Sequence, residues 1–511
     1  MKRLITLLLA ALLCLSLCAC EEEAPVVSEA PEPTPSVSYQ ETKEFALAYD
    51  PASDLNPITG DSQVNRMLTS LVYEGLYRLD ENFAPQPELA LSAEVDDTGL
   101  IWTITLREDV VFSDGTPLEA KHVVSSLKAA LKSSFYGGRL SNVESVKAKE
   151  GKVVLRLTRP NGGLPALLDI PVVLEAEEGI APLGTGRYYY VQDGERVYLQ
   201  QNYHRAEELP CSRIPLRAAS TVNERIDAFD SGAVSAVVTD LTSPYAVGYA
   251  GNYEIWDYDT TDLLYVGFRC VDGPCAEAAV RKAFAKAMNR AAIAGDILDE
   301  HAVASELPIH PNHEEWHSSP AWALSYDMAA AEKLLSQAGY ERDEETGLLR
   351  RKKETLTVTL LVNSDNAVKL EIAEQLAESL TALGVTVNLS KLPWTDYLAA
   401  LSAGAFDLYI GEVRLTADFD LTELLTGSLN YGGFDPLQVE ELLTGRNGAA
   451  GTARLWYSRA VWELLAQEVP MTALCFKKES LLLDWGMEIW PTPLRGDPFF
   501  GMENWSPRRV G

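Results

Sequence analysis

Charged side chains crowd into one nine-residue segment, residues 412–420, with the sequence Glu-Val-Arg-Leu-Thr-Ala-Asp-Phe-Asp. Glu412, Arg414, Asp418 and Asp420 are its charged members. Such groups can pair with the charged ends of a small ligand, because a buried ammonium or carboxylate needs a fixed partner of opposite charge. The alternative is that these are solvated loop residues and that Arg414 forms an exposed ion pair with Glu412.

A second polar segment, residues 310–317, contains three histidines and two glutamates. Imidazole and carboxylate groups bind zinc, nickel and similar ions, so His310, His313 and His317 are the candidate metal ligands of this chain. The segment also contains a proline and reads as a loop, where polar side chains are usually solvated. We therefore predict no resident metal and no cofactor.

Two short matches point to serine-enzyme chemistry. Residues 125–128 fit the Ser-x-x-Lys motif of penicillin-interacting enzymes, and residues 364–366 fit its Ser-Asp-Asn partner. The third element, Lys-Thr-Gly, is missing, since residues 184–186 lack the lysine and come in the wrong order. We predict a protein that is not an enzyme, with a cell-surface serine hydrolase or acyltransferase as the alternative from another class.

The first twenty residues indicate export followed by lipidation. Lys2 and Arg3 precede an apolar run that ends in Ala19-Cys20. A small residue directly before a cysteine is typical of a signal peptide whose removal leaves a thiol that can carry a lipid. We predict a signal peptide over residues 1–19 and a membrane anchor at Cys20. A transmembrane span is the alternative, but the run is short for the ~20 apolar residues that a span needs.

The rest of the composition limits the partners. Residues 20–42 are rich in Glu and Pro and predict an extended, acidic linker. The formal net charge of −31 argues against nucleic acid, whose phosphates would be repelled. Cys270 and Cys275 can form a small disulfide loop or remain two buried thiols.

The clearest structural pattern lies between residues 355 and 413. Strands are predicted at 356–362, 385–389 and 406–412, and helices at 366–383 and 394–403, from their apolar periodicity. This order predicts three parallel strands, whose carboxyl ends form an edge where ligands usually bind. The segment that starts at residue 412 should therefore face a crevice.

Several blocks then resemble, in order, the family 5 extracellular solute-binding lipoproteins of peptide and nickel ABC importers. The most specific block pairs a tryptophan-bearing strand with a Phe-x-Asp-Gly-x-Pro turn. The blocks are residues 71–80, 101–118, 184–188, 279–290 and 331–340.

The resemblance implies an α/β fold of the type II periplasmic-binding-protein class, in the cluster with an extra subdomain in lobe one. Two lobes with mixed sheets are joined by a two-strand hinge, which we place near residues 265 and 485. The implied domains are lobe one at 43–264 with an inserted subdomain at about 66–180, lobe two at 265–485, and a return to lobe one at 486–511.

The resemblance also suggests site residues. Ala417-Asp418-Phe419 is similar to the family segment whose aspartate pairs with a peptide α-ammonium, so Asp418 is implied in that role. Arg414 and Asp420 are further candidates, and Trp394 and Tyr397 either line the pocket or belong to the core. The family's preceding tryptophan is replaced here by Arg414, Leu415 and Thr416, so a metal chelate or an oligosaccharide is the alternative ligand.

Together these features predict a monomeric solute-binding protein that is lipid-anchored on the outer side of the cell membrane. It would capture a short peptide or a similar solute by hinge closure and deliver it to the transmembrane subunits of an ABC permease.

Overall fold

Two long strands run side by side through the middle of the largest sheet. In this computed structural model, which describes residues 44–176, 180–243, 248–485 and 487–509, they span Tyr253–Phe268 and Met471–Asp484 and pair in antiparallel register. We call them the first and second crossing strands, because each contributes to two separate hydrophobic cores. The predicted signal peptide, Cys20 and the acidic linker lie outside the described residues.

Eleven strands of the described residues form this central sheet. Ala302–Ala304 pairs with the second crossing strand apart from the main path. From one edge to the other, the main path is Thr386–Leu392, Thr357–Asn363, Leu408–Arg414, the first crossing strand, the second crossing strand, Ala236–Thr239, Leu47–Tyr49, Arg213–Ala218, Arg196–Gln201 and Tyr188–Asp193.

The predicted β-α-β-α-β unit is confirmed. Its first strand lies between the other two and pairs with both in parallel. The two helices span Ala367–Ala382 and Trp394–Ala403. The first begins at Asn366, whose side chain accepts a hydrogen bond from the Lys369 amide at 3.0 Å, as an N-cap residue should. The second ends at Gly404, which adopts the left-handed conformation that favours glycine.

A second, four-stranded sheet lies in the N-terminal half of the chain. The predicted tryptophan-bearing strand forms as Ile101–Leu106, and its alternate residues Trp102, Ile104 and Leu106 are buried. Helix Ala120–Ala130 packs against this sheet. The strand order is Ala90–Val95, Ile101–Leu106, Lys152–Leu157 and Val143–Lys149.

Shorter elements complete the two halves. None of the helices in the described ranges combines the length and apolar character that a membrane span requires. The remaining α-helices are Gln63–Met67, Thr69–Val72, Val222–Asp230, Ala278–Lys286, Arg290–Ala292, Met328–Gln337, Thr422–Leu425, Glu440–Gly448 and Gly451–Glu468. The small sheets consist of Tyr77–Leu79 with Pro85–Pro87, of Glu341–Arg342, Leu349–Arg351 and Glu354–Thr355, and of Met487–Glu488 with Ser506–Arg509.

The crossing strands pass from one core to the other over a few residues. In the first crossing strand, Trp256 packs against the core that contains Trp102 and Tyr188, which we call the first-lobe core. Leu263 belongs to the core that contains Leu360 and Trp462, which we call the second-lobe core. In the second, Phe476 belongs to the second-lobe core and Leu481 to the first. The passages therefore lie at 257–262 and 477–480, a few residues before positions 265 and 485, where the sequence suggested the hinge. The exact lobe boundaries stay a prediction.

Candidate ligand-binding site

A cavity of about 470 Å³ lies beside the crossing strands, lined mostly by first-lobe residues and reached from the second lobe by Arg414. Its walls include Tyr136 and Arg139 from the first lobe, Tyr258 and Asp262 from the first crossing strand, and Arg414 from the second lobe. Ligand pockets typically measure ~300–1,000 Å³ and lie preferentially where domains meet. We call this space the interlobe cavity, and it is the candidate ligand-binding site.

Arg414 reaches the cavity from the last residue of strand Leu408–Arg414. Its Nε and Nη2 donate to the two carboxylate oxygens of Asp262 at 2.5 and 2.6 Å. These bonds raise the pKa of Arg414 above its ordinary value and hold its guanidinium over the crossing strand. The alternative pairing with Glu412 does not occur, because Glu412 binds Lys369 and Lys477 at 2.6 and 3.2 Å.

Asp418 does not line the interlobe cavity. Its side chain is buried, and its two carboxylate oxygens accept hydrogen bonds from the Thr416 hydroxyl at 2.6 Å and the Asn161 amide at 3.4 Å. Gly163 of the first lobe packs so closely that a Cβ on it would lie 2.8 Å from the Asp418 Cβ. In this conformation, therefore, first-lobe residues 161–163 cover the predicted ammonium partner.

A buried ion network holds the loop that carries Asp418. Glu315 and Arg446 are fully buried, and Glu315 binds Nη2 of Arg446 at 2.8 Å and Nε of Arg454 at 2.9 Å. Both arginines also donate to the Asp418 carbonyl oxygen, at 3.1 and 2.7 Å. Burial alone would raise the pKa of Glu315, but the two guanidinium groups bring it down to about 2.

Sequence reasoning missed this network. Its glutamate lies inside the histidine-containing segment that was considered for metal binding, and its arginines lie eight residues apart on neighbouring helices, Glu440–Gly448 and Gly451–Glu468. Two arginines on consecutive helices were the available signal, but nothing in their spacing identifies the carboxylate that they share.

The other candidates near Asp418 have local roles. Asp420 accepts hydrogen bonds from the Thr422 amide at 2.9 Å and the Asn447 side chain at 2.7 Å. Tyr397 is buried and donates its hydroxyl to the Ile410 carbonyl at 2.7 Å. Trp394 stacks on Tyr397, with ring centroids 5.7 Å apart, and is half exposed. None of these three predicted site residues lines the interlobe cavity.

The three histidines of the second polar segment do not form a metal cluster. His310 packs between Phe83 and Phe476, and burial lowers the pKa of His313 to about 4, while His317 is exposed. Within the described ranges, no group of three or more His, Cys, Asp or Glu side chains is placed to hold a metal ion. Cys270 and Cys275 are free thiols.

The serine-enzyme motifs also have structural explanations. Ser125 and Lys128 are exposed residues of helix Ala120–Ala130. In the other motif, Asn366 caps a helix and Asp365 accepts a hydrogen bond from the Trp394 amide at 2.8 Å. Neither motif contributes to the interlobe cavity.

Two cores, two crossing strands and a cavity between them define the class of two-lobed binding proteins. The chain belongs to the bacterial extracellular solute-binding proteins, family 5, because the model of that family's middle region matches residues 84–429. The resemblance that the sequence blocks indicated is thereby confirmed, together with the type II fold.

Known proteins that are similar to this chain bind different small molecules, as their names state. The oligopeptide-binding protein AppA of Bacillus subtilis is 22% identical over 486 residues, which cover 88% of this chain and 89% of AppA. The glutathione-binding protein GsiB of Escherichia coli K12 is 23% identical, covering 83% of this chain and 87% of GsiB. The structure of NikA from Brucella suis with Fe(III)-EDTA aligns with a TM-score of 0.69 at 19% identity, over 91% of this chain and 99% of NikA.

Proposed function

We propose that this protein captures a short peptide in the interlobe cavity and hands it to an ABC permease at the outer face of the cell membrane. The observation that carries the proposal is the position of the cavity, which is bounded by the first lobe, by the strands that join the lobes and by Arg414 of the second lobe. Two similar proteins are named for binding oligopeptides and glutathione, which favours a peptide as the solute. Capture requires no bond making, so the protein acts without catalysis.

The crossing strands have features that suit a hinge. Their register shifts between Asp259 and Asp262, so that Thr260 and Thr261 form an irregularity in the passage between the cores. Bulges of this kind bend a strand and interrupt its pairing. Lys477, in the opposite passage, binds Asp240 of the first lobe at 2.5 Å and Glu412 of the second lobe at 3.2 Å. Separation of the two lobes would move Asp240 away from Glu412, so the bonds of Lys477 to both carboxylates favour the closed form, in which the lobes are in contact.

Asp418 remains the proposed partner of the peptide ammonium group, although in this conformation it lies outside the interlobe cavity, and Arg414 is proposed to contact the peptide within the cavity. Residues 161–163 must move away before Asp418 can meet an ammonium group, because Asn161 and Gly163 contact its carboxylate side chain. Separation of the lobes would achieve this movement, since the Gly162 amide is bonded to the Asn447 carbonyl across the same contact at 2.7 Å. Trp394, Tyr397 and Asp420 are proposed to act indirectly, by supporting the second lobe.

The ligand can be identified by native mass spectrometry of the protein purified under mild conditions from its host. We expect a bound species whose mass and fragmentation identify a peptide. A protein that carries no ligand is then offered an equimolar tripeptide library. Capture of no peptide in either experiment, by a protein whose thermal unfolding shows that it is folded, would refute the proposal.

Two further experiments test the anchor and the absence of catalysis. Cys20→Ala should move the protein from the membrane fraction to the soluble or secreted fraction, whereas Cys211→Ala, a change within the folded part, should leave it at the membrane. A fluorescent penicillin should not label the protein. Covalent attachment at Ser125 would instead support the serine hydrolase alternative.

A further inference from the structure

One end of the interlobe cavity contains more positive than negative charge. Arg66, Arg139 and Arg495 come from three distant parts of the chain, and all three act electrostatically on the Tyr136 side chain, together with one carboxylate, Asp169. Asp169 forms an ion pair with Arg139 and lies 3.7 Å from Nη1 of Arg495. Asp262, the partner of Arg414, also acts on Arg495, so the three guanidinium groups of the cluster still outnumber the carboxylates near them.

The guanidinium groups of this cluster have unused hydrogen-bonding capacity. Nε of Arg66 and Nη1 of Arg495 are buried, and neither atom has a hydrogen-bond partner among the described residues. Arg66 is nevertheless held in place, with its guanidinium carbon 4.0 Å from the centre of the Phe135 ring. Buried donors without acceptors are unfavourable, and a ligand oxygen that accepts from them would remove this cost.

Arg414, which shares the interlobe cavity and acts electrostatically on Arg495, is already compensated. It pairs with Asp262 and lies 3.7 Å from Glu479, so two carboxylates accompany this guanidinium. A cluster with more guanidinium groups than carboxylates is unexpected in a chain with a formal net charge of −31. Between low-dielectric walls such a cluster attracts anions strongly.

We propose that a carboxylate of the ligand binds between Arg66, Arg139 and Arg495; this inference rests on the proposed function and specifies its ligand. Paired N–H groups of a guanidinium match the two oxygens of a carboxylate, which gives both affinity and orientation. The carboxylate is the C-terminal group of a short peptide or a carboxylate of a metal chelate. The first source agrees with the proposed peptide capture, and the second changes the solute but keeps the site.

The two sources are separated by three sets of probes. The ligand-free protein is offered a tripeptide library with free C-termini, the same library with C-terminal amides, and Fe(III)-EDTA. We expect binding of the free acids and at least tenfold weaker binding of the amides, because each lost charged hydrogen bond reduces affinity by about that factor or more. Binding of Fe(III)-EDTA without the peptides would keep the anion site and refute the peptide proposal.

Equal binding of acids and amides would overturn the anion site while leaving peptide capture intact. Binding of none of the three probes would overturn both proposals. The failure of this inference is thus distinguishable from the failure of the proposed function.

Arg66→Gln is the sharpest variant, because among the described residues Arg66 has no ion-pair partner and its loss leaves no carboxylate unpaired. We expect the variant to bind the free acids roughly 10- to 100-fold more weakly and to lose most of the preference for acids over amides. Arg213→Gln is the matched control, since the Arg213 guanidinium also lies over a ring, that of Tyr198 at 4.1 Å, but outside the cavity. Retention of the acid preference in a folded Arg66→Gln protein would overturn the assignment.

Discussion

Replacing Glu315 by Gln tests whether the buried ion network holds the Asp418 loop. The variant keeps the shape of the side chain but removes the charge that compensates Arg446 and Arg454. The pKa of Glu315 is about 2 in the folded protein against an ordinary value of 4.5. Since a pKa difference of 1 corresponds to ~1.4 kcal/mol, folding gains about 3 kcal/mol from the ionised form. Loss of one partner from a buried pair typically costs a similar ~3–5 kcal/mol.

The same network predicts a dependence on pH. The folded-state pKa of Glu315 lies below the unfolded one, so its contribution is complete above about pH 4.5 and is lost as the pH falls towards 2. Urea unfolding at pH 7 and pH 3 measures both effects. Tryptophan fluorescence is a suitable probe, because the buried Trp462 ring lies 5.3 Å from the Arg446 guanidinium carbon.

Glu314→Gln is the matched control, since Glu314 is the exposed neighbour of Glu315. We expect its free energy of unfolding to stay within about 0.5 kcal/mol of the unsubstituted protein, as for most surface substitutions. At pH 7 the Glu315→Gln protein should unfold about 3 kcal/mol more easily, and the difference should shrink at pH 3. Equal stability of the two variants at pH 7 would refute the reasoning.

Two further substitutions test the contact between the lobes and the role of the aromatic pair. Gly163→Ala places a Cβ 2.8 Å from the Cβ of Asp418, so it should disfavour the conformation in which the two lobes are in contact by about 1–3 kcal/mol. The radius of gyration measured by X-ray scattering should therefore increase. Gly138→Ala is the control, because its Cβ would meet nothing within 4 Å, and it should leave the radius unchanged. Tyr397→Phe removes the hydrogen bond to the Ile410 carbonyl and should destabilise the protein by ~1 kcal/mol without changing tripeptide affinity. A large loss of affinity would instead put Tyr397 in the binding site.

Local patterns were sufficient for much of the fold. The β-α-β-α-β unit formed as its periodicity indicated, because apolar spacing and capping residues such as Asn366 act over a few neighbouring positions. The alternation of Trp102, Ile104 and Leu106 was equally reliable. Both patterns report which face of an element is buried, which depends little on distant segments.

The site was harder to predict, because its residues meet only through tertiary packing. Asp418 and Arg414 are four positions apart in the chain, yet only Arg414 lines the interlobe cavity. The difference arises because strand Leu408–Arg414 ends at the cavity, whereas the following loop turns towards Asn161 and is held by the Glu315 network.

The amino-acid sequence alone determined the family, the β-α-β-α-β unit of the second lobe and the presence of charged residues near a strand end. The three-dimensional packing decided which of those charges face the cavity. Arg66, Arg139 and Arg495 are separated by 73 and 356 positions, and no local pattern connects them. Their common position follows from the path of the crossing strands, which return the C-terminal segment to the first lobe, where the guanidinium group of Arg495 joins the other two.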